Sequence, residues 1–159
     1  MFRDGPARLL VFRVGEERFA VALSAVREVV DSPAVSRVPD AAPSLLGVAM
    51  IRGELVPVYD AWVLLDVGRA GGAPGAALLF SVDGRRVALA IDDVFDPVLV
   101  EERDLRPMPG AGAKDAIIRG LVRRDGDLVA VLDDATLLDT MLATASGTVA
   151  GGGGGGDAI

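Results

Sequence analysis

The sequence contains no cysteine and no histidine, and each absence excludes a class of chemistry. Without cysteine there are no disulfides, and without either residue type a structural zinc site loses its usual ligands. The absence of histidine removes the usual general base near neutral pH and any nucleophile activated by an imidazole. Catalysis would therefore depend on carboxylates, on Lys114, on Tyr59 or on a metal held by oxygen ligands.

Positive charge is also in short supply, because 16 basic residues face 23 acidic ones and the net charge is −7. This balance argues against binding to nucleic-acid phosphates or to an acidic membrane surface. No apolar run approaches the length of a membrane span, and the first ten residues lack the apolar centre of a signal peptide. We therefore expect a cytoplasmic protein with no nucleic-acid partner, no direct membrane insertion and no cofactor or metal.

What the chain does have is an internal repeat. Residues 10–30 align without a gap on residues 78–98 with 8 identities in 21 positions, at an offset of 68. Residues 46–66 align on residues 119–139 with 9 identities, at an offset of 73. The order is thus A-B-A′-B′, which indicates a pseudo-two-fold molecule with a groove between its halves as the place for a binding function.

Each half shows the pattern of β-hairpins. Leu10, Phe12 and Val14 alternate with other side chains before a turn at Gly15-Glu16, and the second half repeats this plan with a turn at Asp83-Gly84. Further turns are predicted at residues 52–54 and 125–126. Pro57 is expected at an edge or bulge. Many short strands with glycine turns favour a mainly β fold of two five-stranded SH3-like barrels, with short helices and a C-terminal helix.

The same pattern predicts the domain limits. Repeat units at about 9–66 and 77–139 are separated by a glycine-rich linker over 68–75, and we expect residues 1–143 to form one domain of two intertwined barrel subdomains. Residues 144–159, which include six consecutive glycines, are predicted to be a disordered tail. Glycines 47, 53, 120 and 126, which match across the repeat, are predicted to occupy positive-φ turn positions.

Several of these motifs together resemble a known family. A hairpin ending in residues 26–30 is followed by the extended segment 35–39, and then by Gly47, Val48, Arg52, Gly53, Pro57, Val58 and Asp60. This order is similar to the CheW-like domain of bacterial chemotaxis and covers residues 9 to about 142. The chain departs from the family pattern at Ala49, Met50 and Ala61, which the resemblance places at or beside the partner surface.

The resemblance implies an adaptor and not an enzyme. A CheW-like protein links the cytoplasmic tip of chemoreceptors to the regulatory domain of a CheA-type histidine kinase, and would be recruited in this way to membrane-associated receptor arrays. One barrel is expected to pair with a barrel of the kinase domain, and the groove between the barrels to take the receptor's helical hairpin. The residues that the resemblance assigns to partner binding are Glu28, Val30, Val48, Met50, Arg52 and Gly53.

Two other hypotheses remain open at this level. Asp60 and Asp133 match across the repeat and could form the carboxylate pair of a hydrolase, although helix N-capping explains the same residues. The chain could also be an SH3-like barrel binding module in a non-chemotactic assembly. From residue type alone, Arg52 and Glu28 could be ordinary solvated charges, and only the family resemblance favours a partner contact.

Overall fold

The chain folds into paired hairpins whose turns are those expected from the sequence. The structure, a computed structural model, describes residues 1–3, 5–68, 73–109 and 116–143. Residues 69–72 of the predicted linker and the predicted tail lie outside the described residues. The described residues form twelve strands, which are β1 (Ala7–Val14), β2 (Glu17–Ala22), β3 (Glu28–Asp31), β4 (Val35–Ser36), β5 (Leu45–Ile51), β6 (Glu54–Asp60), β7 (Ala76–Val82), β8 (Arg85–Ile91), β9 (Asp93–Val94), β10 (Val98–Val100), β11 (Ile118–Arg124) and β12 (Asp127–Leu132).

Helices are few and short. The helix α1 (Ala61–Leu64) follows β6, and the helix α2 over residues 134–143 follows β12, so the two helices occupy equivalent places in the repeat. Short 3-10 turns lie at Leu23–Ala25 and Glu102–Asp104. The predicted C-terminal helix is therefore confirmed.

The strands form two sheets of six strands each. Barrel I has the strand order β3-β7-β8-β6-β5-β4, and barrel II has the order β10-β1-β2-β12-β11 with β9 paired to β1. Each barrel has one strand of only two residues, which is β4 in barrel I and β9 in barrel II. The fold is thus mainly β with two SH3-like barrels, as predicted, and each barrel carries one short strand beyond the five expected.

Each barrel contains hairpins from both halves of the chain. In barrel I, β8 of the second half pairs in parallel with β6 of the first half, and Ala88 lies opposite Val58. In barrel II, β2 pairs in parallel with β12, and Ala20 lies opposite Val131. These two pairs are equivalent under the repeat, because Ala20 and Ala88 differ by 68 positions and Val58 and Val131 by 73. The structure therefore has the pseudo-two-fold symmetry that the repeat predicts.

Alternation of side chains along the strands builds three hydrophobic clusters. One cluster fills barrel I, a second fills barrel II, and the third and largest lies between the two sheets. Phe12 and Phe80, which are equivalent in the repeat, are fully buried in this shared cluster, as are Leu137 and Met141 of α2. The space between the sheets is consequently a packed core and not an open groove.

Two local predictions need correction. Gly53 and Gly126 have positive φ as expected, but Gly47 and Gly120 do not; a Cβ at Gly47 would lie 2.2 Å from the Ser36 carbonyl oxygen, so this glycine is required by close backbone approach. The strand of Pro57 is central and not at an edge, since β6 lies between β8 and β5; of the edge or bulge that was expected, only an irregularity is present nearby, in the β5–β6 register between Leu45 and Gly47. Pro57 is tolerated there because pairing with β8 begins only at residue 58.

Candidate partner-binding surface

An ion pair between Glu28 and Arg52 joins two distant parts of barrel I. The Arg52 Nη2 donates to Glu28 Oε2 at 2.7 Å, and Nε donates to Oε1 at 3.2 Å, so the contact is bidentate. Glu28 begins the strand at one end of the sheet order, and Arg52 lies in the turn between β5 and β6 near the other end. The contact therefore links the two ends of the strand order of barrel I. We call the region around Glu28 and Arg52 the mouth of barrel I.

The turn that carries Arg52 follows directly from its sequence. Arg52 has φ 53° and Gly53 has φ 80°, so both residues adopt the left-handed conformation that tight two-residue hairpins require. No atom lies within 4 Å of the position a Gly53 Cβ would take. The turn is thus open to solvent on this side, and Arg52 is 68% exposed even while paired.

The electrostatics of the pair keep both groups charged. The hydrogen bond from Arg52 is the main cause that lowers the pKa of Glu28 below its usual value. The same contact raises the pKa of Arg52. Both partners are therefore ionised throughout the neutral range, and the guanidinium retains N–H donors that Glu28 does not use.

Beside the ion pair, the β5–β6 hairpin presents an apolar face to solvent. Met50 is 66% exposed, Leu55 is 64% exposed, and the two residues lie directly opposite each other in the strand register. Val48 and Pro57 are the next pair on the same face of the hairpin, two positions further from the turn. We call these four residues the hairpin surface. Large apolar side chains exposed side by side are typical of protein-interaction sites.

The six residues assigned from the sequence differ in their exposure to solvent. Arg52, Gly53 and Met50 are exposed, and Glu28 and Val48 are partly exposed. Val30 is also partly exposed, but it packs against the core of barrel I. The structure thus brings Glu28 and Arg52 into contact and places Val48 and Met50 on the strand that ends at the same turn.

Sequence reasoning missed two exposed apolar residues here. Leu55 belongs to the hairpin surface, and Val29, next to Glu28, is 42% exposed while Val30 is turned towards the core. The signal for Leu55 was present, because Val56 and Val58 alternate with it and both are buried. Strand alternation from the turn outward would have assigned Leu55 and Pro57 to the outer face.

The three departures from the family pattern do not all lie at the surface. Ala49 is 3% exposed in the core of barrel I, and Ala61 is fully buried in the shared core. Only Met50 is exposed. The small side chains of the two alanines fill core positions, so of the three departures only Met50 presents its side chain to solvent.

Asp60 and Asp133 each cap a helix. The Asp60 Oδ1 accepts a hydrogen bond from the Trp62 backbone N–H at 2.9 Å, and the Asp133 Oδ1 accepts one from the Thr136 N–H at 3.0 Å. Asp60 ends β6 of barrel I, whereas Asp133 follows β12 of barrel II. The two carboxylates thus serve separate helix starts, which contradicts the hydrolase hypothesis and agrees with N-capping.

The ion pair has no counterpart in the other half of the repeat. The position equivalent to Glu28 is Asp96, and the position equivalent to Arg52 is Asp125. Met50 is likewise replaced by Arg123, which lies opposite Leu128 in the register. Leu55, in contrast, is matched by Leu128, which is also exposed. The fold therefore does not itself require the charge pair or an exposed methionine, and these features are special to barrel I.

Comparison with known proteins gives a consistent result. The family model for the CheW-like domain matches residues 8–141. Chemotaxis protein CheW of Rhizobium meliloti (strain 1021) is 29% identical over 133 residues, covering 82% of this chain and 86% of that protein. Protein FrzA of Myxococcus xanthus is 32% identical over 133 residues, covering 81% of this chain and 83% of that protein.

A solved structure agrees at the level of fold. The crystal structure of scaffolding protein TtCheW from Thermoanaerobacter tengcongensis superimposes with a TM-score of 0.70 at 22% identity, covering 80% of this chain and 89% of that one. Within the residues that the structure describes, no helix has the length and apolar character to cross a membrane. The same residues contain no group of three or more carboxylates placed to hold a metal ion.

Proposed function

The chain belongs to the CheW-like domain family, and we propose that it is a non-enzymatic adaptor that couples chemoreceptors to a CheA-type histidine kinase in chemotaxis. The observation that carries this proposal is the match of the CheW-like domain to residues 8–141, which include nearly all of the described residues. Relatives that match over 86% of their own length are named chemotaxis protein CheW, which supports the chemotactic assignment. Signalling would then act by differential binding to conformations of the kinase and not by chemistry in this chain.

We assign partner binding to the mouth of barrel I. The surface comprises Glu28, Val30, Val48, Met50, Arg52 and Gly53, together with Leu55. Exposed methionine and arginine side chains are enriched in protein interfaces, where an apolar centre excludes water and an arginine supplies directed hydrogen bonds. The partners would be the regulatory domain of the kinase and the helical tip of a chemoreceptor, and receptor binding would recruit this cytoplasmic adaptor to arrays at the membrane.

A titration calorimetry experiment tests the assignment. The chain would be titrated with the regulatory domain of a CheA-type kinase from the same organism and, separately, with the cytoplasmic fragment of a chemoreceptor. We expect Arg52→Glu to weaken binding to at least one partner by about tenfold or more, because the substitution both breaks the ion pair and places a like charge beside Glu28. Arg123→Glu is the matched control, since it makes the same charge change on the equivalent hairpin of barrel II.

A charge swap distinguishes two roles for Arg52. In the double variant Glu28→Arg with Arg52→Glu, the ion pair is restored with opposite polarity. Rescue of binding would mean that the pair only holds the mouth of barrel I in shape, whereas failure of rescue would mean that the partner contacts Arg52 directly. Full affinity of Arg52→Glu for both partners would refute the surface. A wild-type chain that binds neither partner would refute the adaptor function and favour a barrel module of a non-chemotactic assembly.

A further inference from the structure

A second cleft in barrel I lies between strands β6 and β8. These two strands pair in parallel only over residues 58–60 and 88–90. Before those residues the strands diverge and leave a cleft of about 500 Å³, with walls that include Pro57, Val87 and Leu142. This volume lies within the usual range of small-molecule sites.

Tyr59 lines the cleft with an unused hydroxyl. The residue is 1% exposed, yet it makes no hydrogen bond to any residue that the structure describes. Among those residues, Arg124 Nε is the only fully buried side-chain polar atom that lacks a partner, so the Tyr59 hydroxyl is not sealed and reaches the opening of the cleft. Buried tyrosines usually direct their hydroxyl to a partner. The described part of the chain therefore supplies no partner for this hydroxyl.

The rim of the cleft supplies a positive charge. Arg86 is paired with Glu54 at 3.3 Å, whereas Arg85 forms no ion pair with any carboxylate in the described part of the chain. Arg85 is close enough to Tyr59 to act on its ionisation: burial raises the pKa of the phenol, and the charge of Arg85 opposes that rise. The cleft thus combines apolar walls and the Arg86–Glu54 ion pair with a guanidinium and a hydroxyl that have no partner among the described residues.

The other half of the repeat shows that the fold does not demand these groups. An equivalent cleft lies between β2 and β12. The position equivalent to Arg85 is Glu17, and the position equivalent to Tyr59 is Leu132. Glu16, Asp66 and Asp127 also line that second cleft, together with one arginine, Arg18. Its net charge is therefore opposite to that of the first cleft. The polar features of the first cleft are consequently not explained by core packing.

We propose that the cleft between β6 and β8 binds a small aliphatic carboxylate, with the carboxylate held by Arg85 and Tyr59. The planar guanidinium matches the two carboxylate oxygens, and the phenol donates a further hydrogen bond to one of them. The aliphatic stem of the ligand packs against Val87, Leu142 and Pro57. The cleft adjoins the hairpin surface, because Leu55 and Pro57 line it as well. The two groups that hold the carboxylate, Arg85 and Tyr59, are not among the residues assigned to partner binding.

The single tyrosine of the chain makes a selective probe possible. The full chain would be labelled with 3-fluorotyrosine, so that fluorine NMR reports only on Tyr59, and titrated with hexanoate, hexanol and acetate. We expect hexanoate to shift the resonance with saturation in the millimolar range, which is usual for a ligand of this size. Acetate lacks the stem and hexanol lacks the charge, so each should bind at least about tenfold more weakly.

Substitutions test the two polar contacts. Arg85→Gln should weaken hexanoate binding by about tenfold, while Arg123→Gln, an exposed arginine away from the cleft, should leave it unchanged. Tyr59→Phe keeps the ring in the core and removes only the hydroxyl. The affinity of this variant for hexanoate is read from the methyl resonances of Leu142, because the variant has no tyrosine to carry the fluorine. The proposal is overturned if hexanoate produces no saturable shift, if hexanol binds as tightly as hexanoate, or if Arg85→Gln retains full affinity.

Discussion

Replacing Gly47 by alanine should separate β4 from barrel I. A Cβ at this position would lie 2.2 Å from the Ser36 carbonyl oxygen and 2.9 Å from Val35 Cγ1. Real Cβ contacts essentially never fall below 3.0 Å, so the backbone at Ser36 must retreat by roughly 0.8 Å, the difference between 3.0 and 2.2 Å. A carbonyl oxygen cannot rotate aside as a flexible side chain can. The strain therefore falls on the strand itself.

The size of the effect follows from how β4 is held. This strand has two residues and pairs only with β5, and Val35 is partly buried against the core of barrel I. Overpacking a well-packed site costs about 1–3 kcal/mol, and the rigid backbone neighbour places Gly47→Ala in the upper part, about 2–3 kcal/mol. For a chain of this length that corresponds to a melting temperature about 4–12 °C lower.

Thermal unfolding followed by circular dichroism, together with hydrogen exchange of the β4 amides, would measure both consequences. Gly53→Asn is the matched control, because that position has positive φ and open space, and asparagine tolerates the left-handed conformation. We expect the control to lose less than about 1 kcal/mol and to keep β4 protected. An unchanged melting temperature and unchanged β4 protection in Gly47→Ala would refute the close approach to Ser36.

Two further predictions concern the core and the ion pair. Leu137→Ala should destabilise the chain by about 2–5 kcal/mol in urea unfolding because Leu137 is fully buried in the shared core, whereas the exposed Leu99→Ala should cost far less, and equal costs would contradict the core assignment. Because Arg52 lowers the pKa of Glu28, the stability from this pair is complete above the unfolded-state value of about 4.3 and is lost as pH falls through the lower folded pKa. A carbon NMR titration should show the pKa of Glu28 rising in Arg52→Gln, and a wild-type value at or above about 4.3 would contradict the contact.

The hairpins and their turns could be predicted from the sequence because the signals are local. The pairs Arg52-Gly53, Asp83-Gly84 and Asp125-Gly126 all adopt positive φ at both residues, and alternating apolar residues flank each of them. The repeat added independent support, since the same pattern occurs twice. Local chemistry together with repetition therefore predicts the hairpins, their turns and the fold class, whereas the strand limits shift by one or two residues.

Which hairpins pair with each other could not be predicted from the sequence in the same way. Val58 and Val131 are the same residue at equivalent positions, so sequence pattern alone does not decide whether β2 pairs with β6 or with β12. That choice is made by parallel contacts between residues more than a hundred positions apart, such as Ala20 with Val131. Long-range parallel pairing leaves no local signature, because both strands are buried and simply apolar.

The orientation of side chains near Gly47 was also beyond local reasoning. A register shift interrupts the β5–β6 pairing between Leu45 and Gly47, and such a bulge changes which side of the sheet the following residues face. Leu45 consequently packs on the shared core, whereas Leu46 packs on the core of barrel I. The facing of Leu45 and Leu46 depends on this shift, which the sequence pattern does not locate.

The internal symmetry offers a way to separate residues kept for folding from residues kept for function. Equivalent core positions hold equivalent side chains, as Phe12 and Phe80 do, because both barrels must solve the same packing problem. The exposed ion pair of Glu28 and Arg52 has no such reason to exist, since the other half folds in the same way with two aspartates there. What one half of a repeat has and the other lacks is not required by the shared fold. Barrel I is therefore the part of the molecule where we expect residues kept for partner binding.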